Sequence, residues 1–526
     1  MPSKTDKVIL TNREALKSKY GNVGVGKIGA AIDALIAADK KRGLVTTLIA
    51  LDDAQEMKKL ASPRVSDPGD PKQNKDAVDG IYKAVTPDYL LILGAVDVIP
   101  HQDLKNPIYD PSPDGDPDKI AFGDLPYACE ASYSQKPTDF FGPTRVVGRL
   151  PDLTGGKDPN YIIGLLETAR DFKSATASHY YQYFGITAQI WEKSTVLSLT
   201  HTFGAGTDLK DVPPSDEKWP APFIGRPAHF INCHGADVSS QFYGQPSSGK
   251  NLYPVALDAA YIDAKIAEGT VAAVECCYGG QLYDPARLKG QQGICNTYLS
   301  NKAYGFFAST TIAYGPSDSN AQADLICQYF LQSVLRGASL GRATLEARQN
   351  FVRAASPPDP SDIKTLAQFN LYGDPSVTPA QVPSPVLDLA TKASAKARSA
   401  SRAEKVERLD RRKVLFRLGL TLAATEPRAR RAKTKPRKSV DASLRNKARQ
   451  LGITPSTILS FDVIHPREAV KSLPKNLRVN SASPDRFHVV FGATERARSE
   501  SVVRVVAMIA KEIAGEVVSV SKVESR

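Results

Sequence analysis

A chain of 526 residues with 42% hydrophobic side chains is long enough for two or three domains and a substantial core. It contains no apolar run near the ~20 residues of a spanning helix, and its start, MPSKTDKVIL, lacks the apolar stretch of a signal peptide. These features predict a cytoplasmic protein with no membrane span. The six cysteines, at 129, 233, 276, 277, 295 and 327, show no CxxC pair or disulfide-scaffold spacing, as expected of reduced thiols. The net charge of +12 is unevenly distributed. Residues 385–526 carry a net +17, which leaves residues 1–384 at −5.

In chain order, short apolar runs alternate with helix-like segments from about residue 45 to 355. The expected strands are 44–51, 89–95, 187–191, 228–232, 270–275 and 304–309. Most are continuously apolar, which points to strands buried on both faces. Helices are expected at 159–173, 256–267, 319–336 and 340–354. This order predicts an α/β sandwich with a mainly parallel sheet. The Pro/Asp-rich stretch 101–125 and the segment 204–222 read as surface loops. Residues 391–438 hold 17 basic and 4 acidic side chains, and read as a flexible linker or a solvated helix. Beyond 441, SLRNKARQLGI reads as a helix, RFHVVFG as a strand and SVVRVVAMIAKEIAG as a helix, a small α/β module. The boundaries follow as 1–174 and 175–384 for two halves of the body, 385–440 for the basic linker and 441–526 for the module.

Two segments carry chemistry. HFINCHG (229–235) is a strand ending in His234-Gly235, and VAAVECCYGG (271–280) is a strand ending in Cys276-Cys277-Tyr278-Gly279-Gly280. Parallel strands deliver their last residues to one sheet edge, where ligands bind. An imidazole beside a thiol lowers the thiol pKa and can protonate a leaving amine. The backbone N–H groups of Gly235 and Cys277 could form an oxyanion hole. The separation of 43 positions from His234 to Cys277 is close to the ~50 of caspases.

The pattern "strand-x-His-Gly, then strand-acidic-x-Cys-x-x-Gly" resembles the caspase-hemoglobinase fold peptidases, and ECCYGG resembles a metacaspase run. The resemblance to gingipain-type cysteine peptidases is broader. It includes YLLILGAVDVIP (89–100), VVGRLP (146–151), YGFFASTTIAYGP (304–316) and FNLYGDPSV (369–377). It implies a caspase-like three-layer sandwich and a cysteine endopeptidase, whose thioester chemistry requires no cofactor; no metal ligand is assigned, and the family's calcium sites do not transfer to these residues. His234 would be the general acid/base and Cys277 the nucleophile, with Cys276 as rival. Glu192 would be the acid that orients His234. Substrate would lie beside Tyr278, Gly279, Gly280, Ser309 and Thr310. The segment 304–316 would end near the pocket for the residue on the acyl side of the cleaved bond (P1). Asp208, Asp211 and Asp216 are the candidates for a carboxylate in that pocket.

Blander roles compete. Buried cysteines often only pack, His229 reads as core, Asp374 as a turn residue, and Trp191 as core or pocket wall. Tyr278 either lines the cleft or packs over it. The alternative functions are a catalytically silent scaffold, or a protein whose 391–438 stretch binds nucleic acid or an anionic surface. That stretch has only Phe416 as an aromatic. It could also serve as a processing site or inhibitor tether.

Overall fold

The computed structural model describes residues 5–215, 218–248, 252–382, 394–466, 485–494 and 502–526, with side chains of the long C-terminal helix described from 409 onward. Its centre is a ten-stranded sheet. In chain order the strands are β1 (Lys7–Thr11), β2 (Thr46–Ala50), β3 (Tyr89–Leu93), β4 (Val147–Leu150), β5 (Tyr183–Ala188), β6 (Leu209–Val212), β7 (Ala228–Asn232), β8 (Val271–Val274), β9 (Gly305–Ser309) and β10 (Phe369–Tyr372). Their spatial order is β2-β1-β3-β4-β10-β9-β8-β7-β5-β6. All pairs are parallel except β9 with β10. Successive side chains alternate between two apolar layers. Ala272, Val274, Ile231, Phe306 and Ala308 enter one, while Val271, Ala273, Phe230 and Phe307 enter the other. Both faces are buried, so the strands read as continuous apolar runs.

The expected α/β sandwich is present, and residues 1–174 and 175–384 contribute adjacent halves of one sheet. Helix Arg13–Lys41, which precedes every element predicted from sequence, buries Leu16, Ile28, Ile32 and Leu35. It is long and apolar enough to cross a membrane by length and composition, but this apolar side belongs to the core beneath the sheet. The expected helix 256–267 is instead strand Val255–Asp258 followed by a single turn, Ala259–Ile262. Val255 and Leu257 pair back onto the hairpin strand Gln241–Tyr243. The stretch 101–125 is no plain surface loop. It forms a hairpin, Gln102–Lys105 with Ile120–Gly123, and drives Asp116 into the interior beside Lys364 at 2.6 Å.

The C-terminal part departs most from expectation. Helix Ser394–Thr425 covers much of the predicted linker, and from residue 409 onward it docks on the body. Arg411 pairs with Glu346, Arg412 with Asp88, and Leu415 and Leu422 are buried. Five antiparallel strands follow: β11 (Arg428–Arg431), β12 (Thr454–Ile464), β13 (Arg486–Ala493), β14 (Val506–Ile513) and β15 (Glu516–Ser525). The module therefore starts before 441. The segment expected as its last helix is β14, joined to β15 by Ala514-Gly515 at φ +53° and +90°, the left-handed pair of a two-residue hairpin turn. Helix Lys438–Gln450 covers one face of this sheet through Val440, Leu444 and Ala448. The other face packs Phe461, Phe487, Val489 and Phe491 against Ile108, Ile312, Tyr314 and Cys277 of the body.

Candidate active site

β7 and β8 lie side by side in parallel, with Ala228 opposite Val271 and Ile231 opposite Val274. The chain therefore delivers His234-Gly235 and Cys276-Cys277 to the same sheet edge. Their approach requires glycine: a Cβ on Gly235 would fall 1.8 Å from the Cys277 carbonyl oxygen. The two cysteines diverge. Cys276 Sγ turns inward toward the Ile231 carbonyl. Cys277 Sγ faces the segment after β9, accepting from Ala313 N–H at 3.3 Å and lying 3.6 Å from the Ala313 carbonyl. Tyr278, immediately after it, adopts φ +56°, an uncommon conformation for a bulky residue.

The His234 ring is held by three side chains. Nε2–H donates to Gln245 Oε1 at 2.8 Å, and the rings of Trp191 and Tyr253 lie with centroids at 4.4 and 5.2 Å. Nδ1 has no hydrogen-bond partner among the described residues. Glu192 does not fill the orienting role. It is exposed at the start of helix Glu192–Phe203, with no hydrogen bond or ion pair to His234 among the described residues, and Gln245 stands in that position. Burial pushes His234 down to about 3 and Cys277 up to about 12, so both are neutral here. No hydrogen bond joins Cys277 to His234.

The cleft between them is filled by the chain's own β15. Tyr314 and Gly315 pair antiparallel with Ser525 and Glu524, and Arg526 N–H donates to the Ala313 carbonyl at 3.0 Å. The Arg526 carbonyl oxygen accepts from Cys277 N–H at 3.0 Å and from Gly235 N–H at 3.3 Å. The Arg526 guanidinium is fully buried. Its Nη2 donates to Asp324 Oδ2 at 2.7 Å, the Pro316 carbonyl at 2.8 Å and Ser194 Oγ at 3.4 Å. Its carbon sits 4.4 Å from the centroid of Trp191, so Trp191 is a pocket wall shared with His234. Gly315 keeps the pocket open, since a Cβ there would fall 2.2 Å from Nη2. A second carboxylate, Glu275, lies 3.9 Å from Arg526 Nε. Burial lifts both carboxyls, Glu275 much further because Asp324 is beside it. Asp324 therefore carries the charge that meets the guanidinium.

The other expected residues fall as follows. Tyr278 OH donates to Asp118 and its ring packs toward the module. Gly279 and Gly280 make the turn after Cys277, with Gly280 N–H bonded to Ser309 O at 2.7 Å. Ser309 and Thr310 are buried and spend their hydroxyls on the carbonyls of Thr311 and Phe122. The cleft edge lies further on, at 313–316. Asp208 pairs with Arg226, Asp211 is raised to about 6 by burial, with like charge from Glu192 adding to it, and neither contacts the arginine pocket; Asp216 lies outside the described residues. His229 is core, bonded to Tyr298 and the Arg226 carbonyl. Asp374 both caps Ser376 and joins Lys7 and Asp39 in a buried ion cluster. Among the described residues no His/Cys/Asp/Glu group could hold a metal ion.

Sequence reasoning missed Asp324, Ser194 and Gln245. Asp324 looks like an ordinary acid in the first turn of helix Gln322–Leu335. The available signal was Gly315-Pro316 at the end of the 304–316 segment.

Two solved structures can be set beside this one. One is described as a protease, with TM-score 0.46 and 10% identity, covering 100% of this chain and 98% of that one. The other is the Arg-specific cysteine proteinase gingipain R, also at TM-score 0.46 and 10% identity, covering 99% and 98%. No family model and no curated protein matches the sequence.

Proposed function

We propose that the protein is a cysteine endopeptidase of the gingipain type that cleaves after arginine, with Cys277 as nucleophile and His234 as general acid/base. The observation that carries this reading is the double convergence on Arg526. Two backbone N–H groups, from Cys277 and Gly235, meet one carbonyl oxygen, while the side chain of the same residue is seated on Asp324. Oriented amides at a carbonyl are what acyl transfer needs, and a buried carboxylate opposite a planar guanidinium favours arginine over lysine.

In the proposed reaction, the Cys277 thiolate attacks the carbonyl carbon and the oxygen takes negative charge between the two amides. Collapse breaks the C–N bond, and His234 supplies the proton to the departing amine. Water then adds to the thioester, giving a proton back through His234, and the C–S bond breaks. The neutral state of both side chains belongs to the filled cleft, where both are buried; an open, solvated cleft would bring both pKa values back toward their ordinary ranges. The test is hydrolysis of a positional-scanning peptide library by the wild type and by Cys277→Ala. The reading requires cleavage after arginine that the variant lacks; equal cleavage by both proteins would sink it.

A further inference from the structure

We infer that β15 is an intramolecular inhibitor. The C-terminal module holds Arg526 in the P1 pocket and blocks the cleft until that strand is displaced by a peptide with arginine at P1. The inference rests on the proposed function and concerns what governs access to the same site.

Four observations support it. First, the contact is substrate-like in every part: main-chain pairing to 313–315, carbonyl oxygen between two amides, and guanidinium on Asp324. Adding a strand to an exposed edge is a general way to bind a peptide, with main-chain bonds giving affinity and side-chain pockets giving choice.

Second, occupancy closes the site to solvent. Cys277 is 1% exposed, and His234 and Arg526 are 0% exposed. Any peptide aligned with Ala313 and reaching Asp324 must take the place of Ser525 and Arg526.

Third, the strand is held from outside the pocket. Glu524 bonds Arg504 at 2.8 Å and Lys522 at 2.9 Å. Ser525 Oγ accepts from Val505 N–H at 2.9 Å and donates to the Val503 carbonyl. The module is anchored in turn by helix Ser394–Thr425, through Arg411, Arg412, Leu415 and Leu422. Arg526 thus arrives at high effective concentration, and a free peptide must outcompete a tethered one.

Fourth, the seat is incompletely bonded. Arg526 Nε and Nη1 have no hydrogen-bond partner among the described residues. A contact left this way costs less to break than one whose polar atoms are all paired.

The test uses the full chain. Wild type, Arg526→Ala and Arg526→Lys are treated with iodoacetamide, Cys277 alkylation is followed by peptide mass mapping, and turnover of a fluorogenic peptide amide with arginine at P1 is measured in parallel. Arg526→Ala should alkylate and turn over about tenfold faster or more, as expected for loss of a charge-assisted contact. Arg526→Lys, which keeps the charge, should lie between. Added peptide VVSVSKVESR should slow the alanine variant competitively, and the same peptide ending in alanine should not. Equal alkylation of Cys277 in wild type and both variants overturns the inference, whatever the turnover. Faster alkylation with no turnover in any protein supports the closed cleft but removes the peptidase reading. Should the alanine variant fold poorly by thermal melt, the lysine variant decides: faster alkylation than wild type supports the inference, and an unchanged rate overturns it.

Discussion

Two buried clusters in this molecule share one composition and differ in finish. In the first, Lys364 lies between Asp116 and Asp118 at 2.6 and 3.1 Å. Tyr314 OH also donates to Asp116, and Tyr278 OH and Ile312 N–H to Asp118. In the second, Arg526 lies against Asp324 with Glu275 nearby, yet two guanidinium nitrogens go without hydrogen bonds among the described residues. Both clusters bear on the cleft strand Tyr314–Gly315. The first is built entirely from the body and pins that strand, while the second takes its cation from the C-terminal module. A buried charge that must stay is surrounded by donors and acceptors, because an unpaired one costs several kcal/mol. The Arg526 guanidinium is instead held through a single nitrogen, Nη2, and by the Trp191 ring, as the proposed exchange would require.

The contrast can be broken by mutation, and the largest effect belongs to the finished cluster. Lys364→Met strands two carboxylates in the interior and should lower stability by about 3–5 kcal/mol, read as a shift in the urea midpoint. Stability close to wild type would mean that this cluster does not hold the cleft wall. Asp324→Asn should act on specificity rather than on folding. It removes the charge opposite the guanidinium and should cut kcat/KM for a P1-arginine peptide by about a hundredfold, the range for a buried charged partner. A matched lysine or alanine substrate losing as much would show a general defect instead.

Acid should loosen the seat of β15 on the side away from the pocket. Burial works against ionisation of Glu524, but Arg504 and Lys522 outweigh it and bring its carboxyl down to about 2. The pKa is depressed on folding, so its stabilisation is present above the unfolded value of about 4.3 and fades as pH falls toward about 2. Limited pepsin digestion should therefore release fragments of 516–526 increasingly between pH 4 and 2, and Glu524→Gln should flatten that dependence. The smallest effect is expected at Glu275→Gln. Burial and the neighbouring Asp324 lift its carboxyl well above the usual range, so it is neutral, and the isosteric amide, which can still donate to Asp324, should change stability by less than about 1 kcal/mol. A larger loss would mean that Glu275 carries charge in the folded protein.

Much of the central sheet was legible because each strand satisfies a local rule. YLLIL and VAAV are continuous apolar runs that match β3 and β8, and AHFIN, apolar apart from His229 and Asn232, matches β7. The cleft residues His234, Gly235 and Cys277 were legible for a related reason: polar and glycine residues at the end of a buried strand have few structural roles. β14 was misread because VVRVVAMIAKEI is apolar at helical as well as strand spacing. Its Val/Ile content and the following Ala-Gly turn were the available correction. The docking of helix Ser394–Thr425 was hidden by charge. Arg411 and Arg412 look like part of a solvated basic run, although Glu346 and Asp88 of the body pair them.

The sequence by itself determined which strands are buried on both faces and that a histidine and a cysteine leave neighbouring strands beside glycines, because those properties are written in runs of a few residues. Only the tertiary structure decided that Gln245 rather than Glu192 holds His234, that Asp324 forms the pocket, and that Arg526 fills it. Arg526 and Asp324 are 202 positions apart in the chain, and Gln245 reaches His234 from 11 positions on, outside any regular strand or helix spacing. Such pairs leave no local periodicity. They exist because sheet order and the folding-back of β15 bring an ordinary helical aspartate and the arginine that follows β15 into one buried space, where charge pairing is strong enough to matter.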